Sequence, residues 1–175
     1  MQLSSQQALK NWKLLSGAAL LALCGQVFAA DPAPAADKPD AAKGPNPAKQ
    51  AIKLRQATFT LIGSNFKLIG DVLQDKAPYD AAEIAKRAKR VAFLTDFLDG
   101  TFPDISNLGE PDTKAKPEVW TKSDDYQKRL KDFKEHANAL ASLVAKDNTN
   151  SAAFKAAAET LGKDCKGCHD TYKAK

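Results

Sequence analysis

The chain has 175 residues, 43% of them hydrophobic, with 26 Lys and Arg against 21 Asp and Glu, for a formal net charge of +5. The lysines are interspersed with acidic residues rather than gathered into one patch, which excludes the electrostatic footprint of a nucleic-acid binder. Its longest apolar run is too short to cross a bilayer, so no membrane span is expected.

That run, Leu14 to Leu23, follows Lys10 and Lys13 and leads to Val27-Phe28-Ala29. A basic start, a short apolar centre and a small-residue exit make residues 1–29 a secretory signal peptide. Cleavage after Ala29 is favoured over Ala30, because the later bond would put bulky Phe28 where a small side chain is wanted. Leu21-Ala22-Leu23-Cys24 offers an alternative, a lipoprotein box anchored at Cys24, against which the large Leu23 argues. Cleavage after Ala29 removes Met1, Cys24, Trp12 and two lysines with no acid, lowering the net charge from +5 to +3 and leaving no methionine. Residues 30–46 are rich in Ala, Pro, Asp and Lys with no large apolar side chain. They form a flexible leader, since they cannot bury enough surface to offset the entropy of ordering.

The folded domain is expected over residues 47–175, with apolar residues at helical spacing in four stretches. Asn46 can cap the first and Pro47 suits its first turn, after which Ile52, Arg55, Phe59, Ile62, Phe66, Ile69 and Leu73 line one face. A second apolar row, Leu54, Leu61, Leu68 and Val72, points elsewhere and wants a partner, which predicts a homodimer. The second stretch opens on Asp80 and Glu83, runs through Ile84, Ala88, Val91, Thr95 and Leu98, and stops at Gly100. A long connection with Pro103, Pro111, Pro117 and Trp120 follows, placed as a lid over one end. Ser123 is expected to cap the third stretch, Tyr126, Leu130, Phe133, Ala137, Leu140 and Val144. The fourth begins near Ser151 and reads Phe154, Ala158, Leu161, Cys165, Cys168 and Tyr172. Four amphipathic helices joined mostly by short turns make the fold class all-α, an antiparallel four-helix bundle.

The last stretch contains Cys165-Lys166-Gly167-Cys168-His169. Cys-x-x-Cys-His is the spacing for covalent haem c: two thiols add to the haem vinyls and the adjoining imidazole meets the iron. A thioredoxin-like redox pair would need a βαβ context, and a zinc site a second pair of ligands. The pattern offers neither, and one haem c is expected, with His169 as the axial iron ligand.

With Arg55-Gln56-Ala57-Thr58-Phe59, Gly63, Asn65-Phe66, Thr113-Lys114-Ala115-Lys116-Pro117, Trp120 and the terminal CKGCHDTYK, the chain resembles the cytochrome c prime family. The resemblance implies a periplasmic homodimer, paired through its first two helices, with five-coordinate high-spin iron that binds NO and CO at a crowded distal face. It implies that Phe59 covers that face, that Gln56 sits in the haem propionate region, and that Lys173, where many relatives have Arg, lies near the proximal imidazole. Arg55 on an apolar stripe needs a partner, and a haem propionate would serve.

The residues bear on coordination independently. A low-spin electron carrier needs a second strong axial ligand, and no methionine remains after processing. His136 is the other imidazole, expected on a helix flank rather than on iron. The function read here is NO scavenging or carriage without enzymatic turnover, since no distal acid-base group is evident for NO reduction. An electron-transfer cytochrome with an unknown redox partner is the alternative.

Overall fold

In the computed structural model the described residues are 46–175. The expected signal peptide, the Cys24 anchor and the leader up to Pro45 lie outside them. Four long helices, α1 (Pro47–Leu73), α2 (Ala81–Thr95), α4 (Ser123–Lys146) and α5 (Ala152–Tyr172), carry the fold, and a one-turn α3 (Glu118–Thr121) sits in the long connection. The Asn46 carboxamide oxygen accepts from Ala48 N and Lys49 N at the start of α1, while Asp80 and Ser151 cap α2 and α5 through Glu83 N and Phe154 N. Ser123 departs from expectation. It is the first residue of α4, Lys122 holds the cap position, and no side chain caps it. Asp124 and Asp125 instead place negative charge in that first turn, where it complements the helix dipole.

Neighbouring helices run antiparallel. Tyr126 meets Tyr172 at 5.4 Å while His136 reaches Asp164 at 2.7 Å, so α4 ascends as α5 descends. Across the bundle, Phe59 faces His169, and a Cβ on Gly162 would sit 3.6 Å from Phe66. Arg87 donates to Ser64 O at 3.3 Å, tying α2 to α1, and Lys134 joins Asp96 and Asp99, tying α4 to the turn that follows α2. The core between them is Ile62, Ile69, Ile84, Val91, Leu98, Leu140, Phe154 and Leu161 with their neighbours. Each large side chain fully buried in this way contributes about 1.5–3 kcal/mol.

α2 ends earlier than its periodicity suggests. After Thr95 the chain tightens into a 3₁₀ turn, Asp96–Leu98, which keeps Leu98 in the core, and Gly100 at φ 68° turns the chain away. The second apolar row of α1 also divides. Leu54 and Leu61 are 48% and 50% exposed, but Leu68 packs against the core and Val72 is only 3% exposed. A strict seven-residue step drifts around an α-helix of 3.6 residues per turn, which carries the C-terminal end of the row inward.

Candidate haem site

The site lies at the end of the bundle where α1 and α4 begin and α5 ends. There the long connection folds over as one wall of a largely apolar, half-open cavity of about 430 Å³. The wall is tied at two places. Lys116 N donates to Tyr172 O at 2.9 Å and Ala174 N to Lys114 O at 2.8 Å, an antiparallel bridge between the connection and the tail of α5. The second tie is Arg55.

Arg55 is 2% exposed. Its Nη1 donates to Thr101 O at 3.1 Å and Ser106 Oγ at 2.7 Å, and its Nη2 to Ser106 O at 3.3 Å and Thr113 Oγ1 at 2.8 Å. The guanidinium also stacks 4.6 Å from the Phe102 ring centroid and 5.9 Å from that of Trp120. Trp120 is fixed in turn by Nε1–H to Phe102 O at 3.1 Å. All four terminal N–H groups therefore serve the connection, a role that the spacing of an apolar stripe could not reveal because the acceptors lie 46–58 residues away. Burial lowers the Arg55 pKa from its ordinary value.

Phe59, one turn further along α1, faces His169 across the cavity, with ring centroids 6.4 Å apart and planes at 70°. An apolar ring thus stands opposite the imidazole across the cavity. His169 is exposed at the rim. Its partial desolvation, and then the charge of Lys173, hold its pKa below the usual histidine value against the opposing pull of Asp170. The neutral imidazole, the form that ligates metal, is thereby favoured. Lys173 and Gln56 both line the cavity, and Gln56 Nε2 donates to Asp112 O at 3.4 Å.

Cys165 and Cys168 are free, half-buried thiols less than one turn apart on α5. Cys168 lines the cavity and Cys165 packs deeper against the core. Burial, with a smaller contribution from Asp164, pushes the Cys165 thiol up to about 11; burial raises Cys168 too, although Arg129 opposes it. Arg129 Nε holds Asp125 at 2.7 Å, and the Tyr172 hydroxyl donates to the same carboxylate, closing the flank of the site. His136 stands apart from the cavity, its Nδ1 2.7 Å from Asp164 on α5.

The profile of the Cytochrome C' family matches residues 50–173, nearly the whole of the bundle. The chain belongs to the cytochrome c' family. It is 36% identical over 126 residues to the cytochrome c' of Rubrivivax gelatinosus, an alignment covering 71% of this chain and 95% of that protein. Among solved structures it superposes on cytochrome c prime from Shewanella frigidimarina with a TM-score of 0.65 at 36% identity, covering 73% of this chain and 97% of that one. A ferrous variant of cytochrome c prime from Alcaligenes xylosoxidans with bound NO matches at a TM-score of 0.62 and 28% identity, covering 73% and 96%.

Members of the cytochrome c' family carry covalently attached haem c, and this site fits the group. It offers two unpaired thiols and an imidazole on consecutive turns, an apolar cavity beside them, and one buried donor, the Tyr126 hydroxyl, with no partner among the described residues. Tyr126 was legible from its spacing only as an inward-facing core residue.

Proposed function

We propose that this cytochrome c' is a periplasmic protein that binds NO and CO at five-coordinate, high-spin haem iron, and that it scavenges or carries NO. The observation that carries the reading is the opposition of Phe59 and His169 across the cavity: one side presents a ligand, the other an apolar ring. Haem iron, when bound, supplies the coordination site for a diatomic gas. Cys165 and Cys168 would tether the group through thioethers, and His169 would ligate its iron. Phe59 would stand opposite without forming a bond, so an entering gas would have to displace its ring. An apolar ring would offer oxygen no hydrogen bond, which would favour NO, a ligand that needs none. Arg55 and Gln56 frame the propionate region and Lys173 biases the proximal imidazole.

Residues 1–29 direct export as a signal peptide and 30–46 form the leader, ahead of the 47–175 domain. Among the described residues no helix is long and apolar enough to cross a membrane. Two copies pair through α1 and α2, a reading supported by exposed Leu54 and Leu61 on α1 and by Phe93 and Phe97 on and just beyond α2, their rings 5.2 Å apart. The alternative, an electron-transfer cytochrome, would call for a second strong ligand. Met1 is the chain's one methionine and His136 is engaged by Asp164.

Optical spectra of the purified protein, ferric and ferrous, before and after NO and CO, test the proposal. High-spin spectra that change with both gases are expected. A resting spectrum showing two protein ligands on iron would replace gas binding with electron carriage.

A further inference from the structure

The helix that carries His169 is finished by another part of the chain. An α-helix leaves its last four carbonyls without partners inside the helix, and α5 ends at Tyr172 with His169 in that last turn. His169 O accepts from Lys173 N at 3.1 Å. The other three are all answered by Lys116 of the long connection. Its Nζ donates to Asp170 O at 3.4 Å and to Thr171 O at 3.3 Å, and its backbone N–H to Tyr172 O at 2.9 Å. α1 closes differently, with the amides of Gln74, Asp75 and Lys76 turning back onto Gly70, Asp71 and Val72.

Charge and backbone geometry both suit Lys116 to this place. A helix C-terminus carries partial negative charge, so an ammonium there is favourable, and Lys116 is half-buried rather than fully solvated. Pro117 behind it favours extended backbone at Lys116, and Ala115 before it is bridged to Lys173, which brings the Lys116 amide to Tyr172 O. Tyr172 is fixed a second time from α4, through its hydroxyl to Asp125. The last turn of α5 is thus held on two sides by groups outside the helix.

His169 stands in that turn, exposed at the cavity rim and facing the Phe59 ring. An imidazole so openly placed takes its position from the backbone beneath it. We infer that Lys116 is a positioning residue: by capping α5 it fixes the last turn, and with it the direction in which His169 presents its ring. Groups that hold a ligand from outside tune the metal it binds. That consequence at iron rests on the haem reading above, whereas the cap itself does not.

Three variants of the haem-loaded protein, compared with wild type by two readouts, provide the test. Lys116→Met keeps the aliphatic stem and removes the ammonium, Lys116→Arg restores a cation able to reach two carbonyls, and Lys155→Met removes an exposed lysine near the other end of α5. In Lys116→Met, amide hydrogen exchange at Thr171, Tyr172 and Lys173 should quicken about fivefold, the loss of a helix-end charge of ordinary strength, while residues 154–161 keep the wild-type rate. The iron–histidine stretching band of the ferrous protein should shift with it in resonance Raman spectra. Lys116→Arg should reverse both changes and Lys155→Met should show neither. Unchanged exchange in the last turn, or faster exchange along all of α5, overturns the cap. A band that stays in place while the last turn loosens overturns the link to His169 and leaves the haem reading standing. A wild type without covalent haem removes that reading and the link together, and exchange still decides the cap.

Discussion

Phe59 and Cys165 show how a residue's surroundings set its chemistry. Phe59 sits on the core-facing stripe of α1, where an aromatic is ordinarily packing; its opposition to His169 makes it a steric gate in the proposed function. Phe59→Ala should speed CO binding about tenfold or more, the effect of removing about 1.4 kcal/mol of barrier, as measured by flash photolysis or stopped flow. An unchanged rate would take Phe59 out of the pocket. Cys165 is a poor nucleophile for as long as the bundle is folded, since burial raises its thiol from 9.0 to about 11. The thiolate fraction near neutral pH is then about a hundredfold smaller than for the unshifted thiol, two pH units being a factor of about one hundred. In haem-free folded protein, alkylation of Cys165 by iodoacetamide at pH 8 should be slow, and unfolding in urea should restore it. Equal rates in both states would show that the thiol is not shielded. The sequence made the cysteines and His169 legible as a unit because their spacing is local. It placed both thiols on the core-facing stripe but not the depth of Cys165, because that depends on the helices packed against α5.

At the scale of elements, the long connection between α2 and α4 is the part with least periodic signal and most influence on the site. It has few large apolar residues to bury, and its shape is held by polar ties, chiefly the four hydrogen bonds of Arg55 and the bridge to the tail of α5. Arg55→Gln should cost about 3 kcal/mol or more in denaturant unfolding, because buried acceptors lose a charged donor. Amide hydrogen exchange should localise the loosening to residues 101–113. A stability within about 0.5 kcal/mol of wild type would mean that the connection is held by other contacts. The helices themselves were readable: caps at Asn46, Asp80 and Ser151 act as their residue types suggest. The exceptions have local causes. Ser123 was displaced from its capping position by α3 and Lys122, and Leu98 stayed buried in a 3₁₀ turn rather than in a longer α2.

For the whole molecule, the exposed apolar residues on α1 and α2 are its principal liability as a monomer. Leu61→Glu, which places a charge at a 50% exposed position, should convert the proposed dimer to a monomer by light scattering without unfolding the bundle. A wild type that is already monomeric at micromolar concentration would contradict the pairing. The apolar period of the four long stretches and the Cys-x-x-Cys-His spacing determined the bundle and its cofactor by themselves, because both signals are repeats within a few residues along one helix. Folding alone decided which oxygens receive Arg55, how Leu54 and Leu61 part from Val72, and that Tyr126 is left with an unanswered hydroxyl. Those facts come from groups brought together over tens of residues, and no local pattern encodes such distances.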